Sequence, residues 1–423
     1  MNFTLRLDQF TRAGLLLFVF AIPWSSALYR ISMLMLLLAL TVYIAHDLFN
    51  KHNHQKLALW RIPLDPVWSF GVALSTWVVL SYFWTLGTQD NYFFDAWRYS
   101  KLWMIPVFGF LIYRSFENYP LLLIKSFALG CILLMLPSFL DYLGASQIIG
   151  LDSYLKGNPA YSLETASGLN LVYFRNHIVH GFHVAILFGI LAVTYSKKSK
   201  FAGLYVVLAV CCVYDIAFLV IGKMALFSLF LSMLIVLVYY FSNWKKGLLL
   251  SLVVLLIVLS IALVSATFQH RIFLIWSEAQ DFFQNQNINS SGGNRLHYWH
   301  ISLAMFLDHP LLGAGAGAFR TGLEISKDPL SNSFHYHTHN EYLSQLSQFG
   351  LVGFGLFSGL LISLYNGCIK WKHNTVQACG MFVVIIFLLN ALSDSSLHNE
   401  WEGWTLVFFS GLIFSQRIGN HNR

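Results

Sequence analysis

An all-α, polytopic membrane protein is the fold class this sequence predicts, and three observations predict it. Hydrophobic residues make up 57% of the chain and charged residues only 11%, against roughly 25% charged in a soluble domain. The apolar residues fall in runs close to the ~20 needed for a helix to cross the bilayer core. Lys and Arg recur in short clusters between alternate runs, as the positive-inside rule requires of multi-pass proteins. We read residues 1–423 as one integral membrane domain carrying one inserted polar loop, 269–349. The net charge of +7 follows from topology and is no pointer to nucleic acid.

In chain order the predicted spans are 13–29, 31–49, 66–86, 102–116, 120–141, 178–195, 201–220, 223–242, 247–268, 350–369, 375–393 and 402–418, about twelve in all. The first run lacks a small-residue cleavage site and is soon followed by another, so it reads as a retained helix. The span at 102–116 is short and contains Pro106. Cys131, Cys211, Cys212, Cys368 and Cys379 all fall in or beside apolar runs, which implies no disulfide framework. With both termini in the cytoplasm, Lys197, Lys198, Lys200, Lys245, Lys246, Lys370 and Lys372 lie inside. The 269–349 loop, between spans nine and ten, then faces outward into the periplasm.

That loop is where function is expected. It is the one long polar segment, and it holds His270, His297, His300, His309, His335, His337 and His339 together with Arg271, Arg295 and Arg320. The topology rule leaves a set of cations unexplained: Arg30, Arg98, Lys101, Lys156, Arg175, Lys223, Arg271, Arg295, Arg320 and Lys327, most of them near outer span ends. Cations beside a bilayer face an aqueous cavity or a partner. A converging set suggests an anionic ligand such as a pyrophosphate, whereas singly each also fits headgroup contact and snorkelling.

Individual segments narrow this. Asn340–Gln348 has the period of a short amphipathic helix, with Tyr342, Leu343 and Leu346 on its apolar side and Gly350 to end it. His339 then stands at the helix start, where free N–H groups attract anions. A neutral imidazole in an outer cleft is a competent general base. The rival readings are solvated loop histidines, or a metal held by His335, His337 and His339 at i, i+2, i+4 on one face of an extended strand. No Cys or well-spaced carboxylate completes a coordination sphere in sequence, so no metal and no cofactor is assigned.

Ser290-Ser-Gly-Gly-Asn-Arg295 reads as a flexible turn into a helix over Leu296–Leu307, with Leu296, Trp299, Leu303 and Phe306 on its apolar side. A cation at a helix N-terminus opposes the dipole and calls for an anionic partner, either a carboxylate or a ligand phosphate that a guanidinium grips with two bonds. Gly313-Ala-Gly-Ala-Gly-Ala-Phe319-Arg320 lacks the Lys-Ser/Thr ending of a phosphate loop and reads as a tight loop allowing close backbone approach. His177, His180 and His183 lead into span six behind Arg175 and Asn176. Lys223 sits at an outer hairpin with no carboxylate near it in sequence.

The run His339-Asn-Glu-Tyr-Leu-Ser-Gln-Leu-Ser-Gln-Phe-Gly-Leu-Val-Gly-Phe resembles the loop motif of the O-antigen ligase and polymerase superfamily. Gly-Asn-Arg295-Leu-His-Tyr-Trp299 and Asp308-His-Pro-Leu-Leu-Gly-Ala-Gly315 are similar to further segments of that family. The resemblance implies a GT-C-like architecture and a metal-independent glycosyltransferase of the inner membrane working on the periplasmic face. It would move a glycan from undecaprenyl pyrophosphate to a terminal sugar of lipid A-core.

His339 matches the family's essential histidine, and Arg295 matches a loop arginine. Lys223 stands where the family usually has Arg in a Ser-Arg context; here the context is Gly-Lys. In this reading His339 is the base, while Arg295, Arg175, Lys223 and Arg320 hold the donor pyrophosphate. His337, Asn340, Trp299 and His180 support them, and Glu278, Glu400 or Asp394 orients the histidine. A polymerase or protein O-oligosaccharyltransferase using the same donor is the nearest alternative, and a non-catalytic lipid transporter the more distant one.

Overall fold

The computed structural model describes residues 3–49, 62–144, 176–220, 223–240, 266–285, 290–325 and 337–421, with a few isolated positions between them. Fifteen α-helices follow in order among the described residues. They are α1 (Phe3–Ala21), α2 (Ser26–Phe49), α3 (Pro66–Leu80), α4 (Gln89–Ser100), α5 (Met104–Phe116), α6 (Pro120–Tyr142), α7 (His177–Thr194), α8 (Ala202–Tyr214), α9 (Lys223–Tyr240), α10 (Ala266–Asn285), α11 (Ser291–Asp308), α12 (Ala318–Ile325), α13 (Glu341–Gly367), α14 (Thr375–Asn390) and α15 (Glu400–His421). The only strands among the described residues are a two-residue antiparallel pair, Glu164–Thr165 with Gly168–Leu169.

Among the described residues, six helical segments are long and apolar enough to cross a membrane: Ser26–Leu48, Pro66–Phe83, Pro120–Tyr142, His177–Thr194, Ala202–Leu219 and Glu341–Gly367. Met224–Tyr240 and Thr375–Asn390 are shorter apolar helices. The expected span at 102–116 is the thirteen-residue α5, and Pro106 lies in its first turn, where a missing N–H costs no helical bond. The expected span at 402–418 falls within α15, whose first turn carries Glu400 and Glu402. The span at 247–268 lies almost wholly outside the described residues. The first two spans need correction: the chain turns at residues 22–25 rather than near 30. Pro23 explains it, since its ring clashes with the preceding helical turn and removes a donor.

The core is an aromatic seam. Phe18 of α1 packs on Phe108 of α5 at 4.9 Å and edge-on against Trp404 of α15 at 5.7 Å. These rings fix α1, α5 and α15 side by side, so the start of α15 and the turn before α5 come out at one end of the bundle. The loop at 313–317 is held to that same end of the bundle by close backbone approach, as its glycines suggested. Gly315 N–H donates to Gln348 O at 2.8 Å, and Gly317 N–H to the Asp95 carboxylate at 3.0 Å. At Gly350 the backbone has φ +66°, and a Cβ would meet Leu311 O at 2.3 Å. Gly350 therefore breaks α13 into a short helix up to Phe349 and a longer one beyond it.

Candidate active site

A cleft of about 450 Å³ opens at this end of the bundle. Five pieces of chain line it: Arg98 of α4, Asn176 and His177 at the start of α7, Arg295 and Tyr298 of α11, the turn at His337–His339, and the connection carrying Asp394, Asn399 and Glu400. The two residues singled out first in the sequence, His339 and Arg295, share it.

Local chemistry builds each wall. Asn340 caps α13, its Oδ1 accepting from Leu343 N–H at 3.0 Å, so His339 stands just ahead of the helix as expected. Thr338 is fully buried, with its hydroxyl donating to Asn340 O at 2.6 Å. This turn places His337 and His339 on one side, their rings 4.2 Å apart. His339 has φ +49°, a left-handed conformation that L-residues other than Gly, Asn and Asp adopt at a cost and that concentrates at functional sites. Beneath it lies the Tyr298 ring, nearly parallel at 6.0 Å. Arg295 and Tyr298 are three apart on α11 and so share a face.

Asp394 stands behind both imidazoles. Its Oδ1 is 3.6 Å from His337 Nδ1 and 3.7 Å from His339 Nδ1. Ser395 N–H donates to Oδ1 at 2.9 Å and Asn399 Nδ2 to Oδ2 at 2.8 Å. Burial pushes the Asp394 carboxyl up, but the His339 and His337 imidazoles and the Ser395 amide more than offset this and hold it at about 2. It is therefore ionised throughout the physiological range, suited to orienting an imidazole through Nδ1 and leaving Nε2 as the basic nitrogen. Of the carboxylates named as orienters, Asp394 is the one beside the histidines. Glu400 instead receives Arg30 at 2.8 Å and the Tyr29 hydroxyl, and Glu278 accepts Gly292 N–H at 2.9 Å.

A buried framework locks these walls together. Glu341 Oε2 accepts the Leu397 and His398 amides at 2.9 and 3.3 Å, and Oε1 accepts from Tyr99 and Gln345 at 3.0 and 2.7 Å. Lys101 Nζ donates to the Leu397 and Asn399 carbonyls at 2.8 and 2.6 Å. The turn bearing His339 and the connection bearing Asp394 thus share one anchor.

The charge pattern is uneven. No carboxylate pairs with Arg98 or Arg295 among the described residues, although both line the cleft. The Arg98 guanidinium rests 4.8 Å above the Phe94 ring. Arg320 lies on α12 outside the lining, paired with Glu324 at 3.1 Å and 5.4 Å from the same Phe94 ring.

Other expected residues are placed differently. His180 is fully buried, with Nε2 2.7 Å from Asp215 rather than in the cleft. Trp299 is half-buried and does not line the cleft, while Leu303 and Leu307 of its face are 47% and 67% exposed. The apolar side of α11 read from its period is therefore its less buried one, and Tyr298 and Ser302 are the buried residues. The helix also starts earlier than expected, with Ser290 capping Gly293 N–H at 2.9 Å. Arg295 is consequently one turn inside α11, and opposition to the dipole no longer accounts for it. Arg175 and His335 lie outside the described residues, as does the Lys223 side chain.

Arg98 was one outer cation among many in the sequence. Its signal was Thr88-Gln-Asp-Asn, an N-cap with an acidic first turn that opens α4. Lys101 stood among the same unexplained cations, and the anchoring role of Glu341 carried no local signal.

Residues 207–358 match the family model described as O-antigen ligase. That interval contains α11, α12, the His337–His339 turn and most of α13. No curated protein matches the chain.

Proposed function

We propose, the chain being a member of the O-antigen ligase superfamily, that it is an inner-membrane glycosyltransferase. It transfers polysaccharide from undecaprenyl pyrophosphate to a terminal sugar of lipid A-core on the periplasmic side, without a metal. One observation carries this reading: an imidazole backed by an ionised carboxylate shares a cleft with two guanidiniums that form no ion pair with a carboxylate among the described residues. Transfer from a pyrophosphate needs a base for the acceptor hydroxyl and positive charge for the leaving group. His339, held through Nδ1 by Asp394, takes the hydroxyl proton on Nε2. The acceptor oxygen bonds the anomeric carbon as the bond to phosphate breaks, with inversion. Arg295 and Arg98 take up the charge of the departing pyrophosphate.

The exposure pattern of α4, which bears Arg98, supports the arrival of a lipid-linked donor at this cleft. The α4 helix buries Tyr92, Asp95 and Tyr99 while leaving Phe93 60% and Trp97 78% exposed, the division of an interfacial helix. Arg175, Lys223 and Arg320 are retained as further donor contacts, and His337 and Asn340 as supports of the base.

The test is a deletion strain complemented with the wild-type chain or with His339→Ala and examined by lipopolysaccharide gel. Full-length chains stranded on the carrier lipid identify a ligase. Core bearing a single repeat identifies a polymerase. Polysaccharide reaching lipid A-core with His339→Ala refutes the base.

A further inference from the structure

We infer that His337, His339 and Asp394 form a three-donor site for a borderline-soft divalent metal, Zn²⁺ above all, and that its occupation switches transfer off. The site uses the same residues as the reading above. Only the loss of activity depends on that reading; the binding does not.

The geometry is close to that of a zinc site before any metal enters. One donor atom from each residue lies within 4.8 Å of the others. The Asp394 oxygen is 3.6 and 3.7 Å from the two Nδ1 atoms. Ligands about 2.0–2.2 Å from a tetrahedral Zn²⁺ sit roughly 3.4 Å apart, so the two carboxylate–imidazole distances are nearly right and the two imidazole donors, within 4.8 Å of each other, need a side-chain rotation to close the set. Two imidazoles and one carboxylate with a fourth position left open is a composition that selects Zn²⁺, Co²⁺ or Ni²⁺ over the hard, oxygen-seeking Mg²⁺ and Ca²⁺. Asn399 Nδ2 and Ser395 N–H already fix the carboxylate, the outer support on which metal affinity depends. The His339 amide lies 3.4 Å from His337 Nδ1, a long contact that a metal bond readily replaces. The Arg98 and Arg295 guanidiniums in the cleft repel a dication and lower the affinity without altering the donor set.

Inhibition follows from proton bookkeeping on one ring. When the Nδ1 lone pair of His339 bonds the metal, the proton it held facing Asp394 moves to Nε2. The nitrogen assigned to receive the acceptor proton then carries one. No net proton is released and no co-reactant is needed.

The experiment titrates ZnCl₂ into the purified full chain in detergent by calorimetry, with Co²⁺ absorption as a second reading of the ligand set. One Zn²⁺ per chain is expected, with no response to millimolar Mg²⁺. His337→Ala and Asp394→Asn each weaken binding about tenfold or more, and size-exclusion profiles confirm that they fold. No bound Zn²⁺, or affinity unchanged in both variants, overturns the site. Glycan transfer by the wild type is expected to stop on Zn²⁺ addition and return with EDTA. If Zn²⁺ binds through these residues while transfer continues, the metal site stands and the base assigned to His339 falls.

Discussion

The two ends of the helix bundle treat their arginines differently. At one end Arg114 lies 3.2 Å from Asp47 and stacks 4.1 Å above Tyr43. Arg417 reaches Asp65 at 2.8 Å, and Arg12 donates to the Ser115 carbonyl at 2.8 Å. At the other end Arg30 and Arg320 are likewise paired, with Glu400 and Glu324, but Arg98 and Arg295 line a cleft without an ion-pair partner among the described residues. A charge beside a bilayer is expensive unless compensated. Where the fold supplies the compensation, the arginine stabilises structure; where it does not, the partner has to come from outside. The difference separates cations that hold helices together from cations that wait for an anion.

The sharpest way to break this contrast is at the base. His339→Ala is expected to cut glycan transfer by about 10²–10⁴-fold with the melting temperature in detergent held close to wild type. A variant that unfolds instead makes the histidine structural. Next, Arg295→Ala should lower turnover on the lipid-linked donor by about 10²-fold. Arg295→Lys should recover part of it, because an ammonium keeps the charge but not the two-pronged grip. Equal activity of both variants with wild type removes Arg295 from the site. Asp394→Asn should cost roughly 10- to 100-fold in turnover by freeing the imidazole, measured at saturating donor. The smallest effect on catalysis belongs to the opposite end. Asp65→Ala loses the cap on Val67 N–H and the Arg417 pair, which should cost about 1–2 kcal/mol of stability and leave activity per folded molecule near wild type. A large catalytic loss there would erase the distinction between the two ends.

Local signals reached a good part of this in the sequence. The Asn340 cap and the Gly350 stop framed the short helix, so His339 was placed at its start, and the glycine run announced a close backbone approach. What failed needed information outside the local window. Asp394 meets His339 across two intervening helices, so no spacing along the chain pairs them. The apolar period of Leu296, Trp299, Leu303 and Phe306 marks one side of α11, but packing across the fold buries Tyr298 and Ser302 instead, and no local pattern shows which side the rest of the chain covers. Arg98 resembles any interfacial cation in sequence, and only the packing of α4 brings it into one cleft with Arg295 and His339. His180 shared a helix with His177, yet one further turn takes it into the bundle against Asp215.

The Glu341 carboxylate draws His339 and Asp394 into one rigid casting, since both bearing segments are bolted to it. Enzymes of this design that came to accept other sugars would then have little room to reshape that half of the cleft. Diversity should accumulate on the facing half, along α11 and the mouth of α7, leaving the proton-handling side as a fixed die against which different acceptors are pressed.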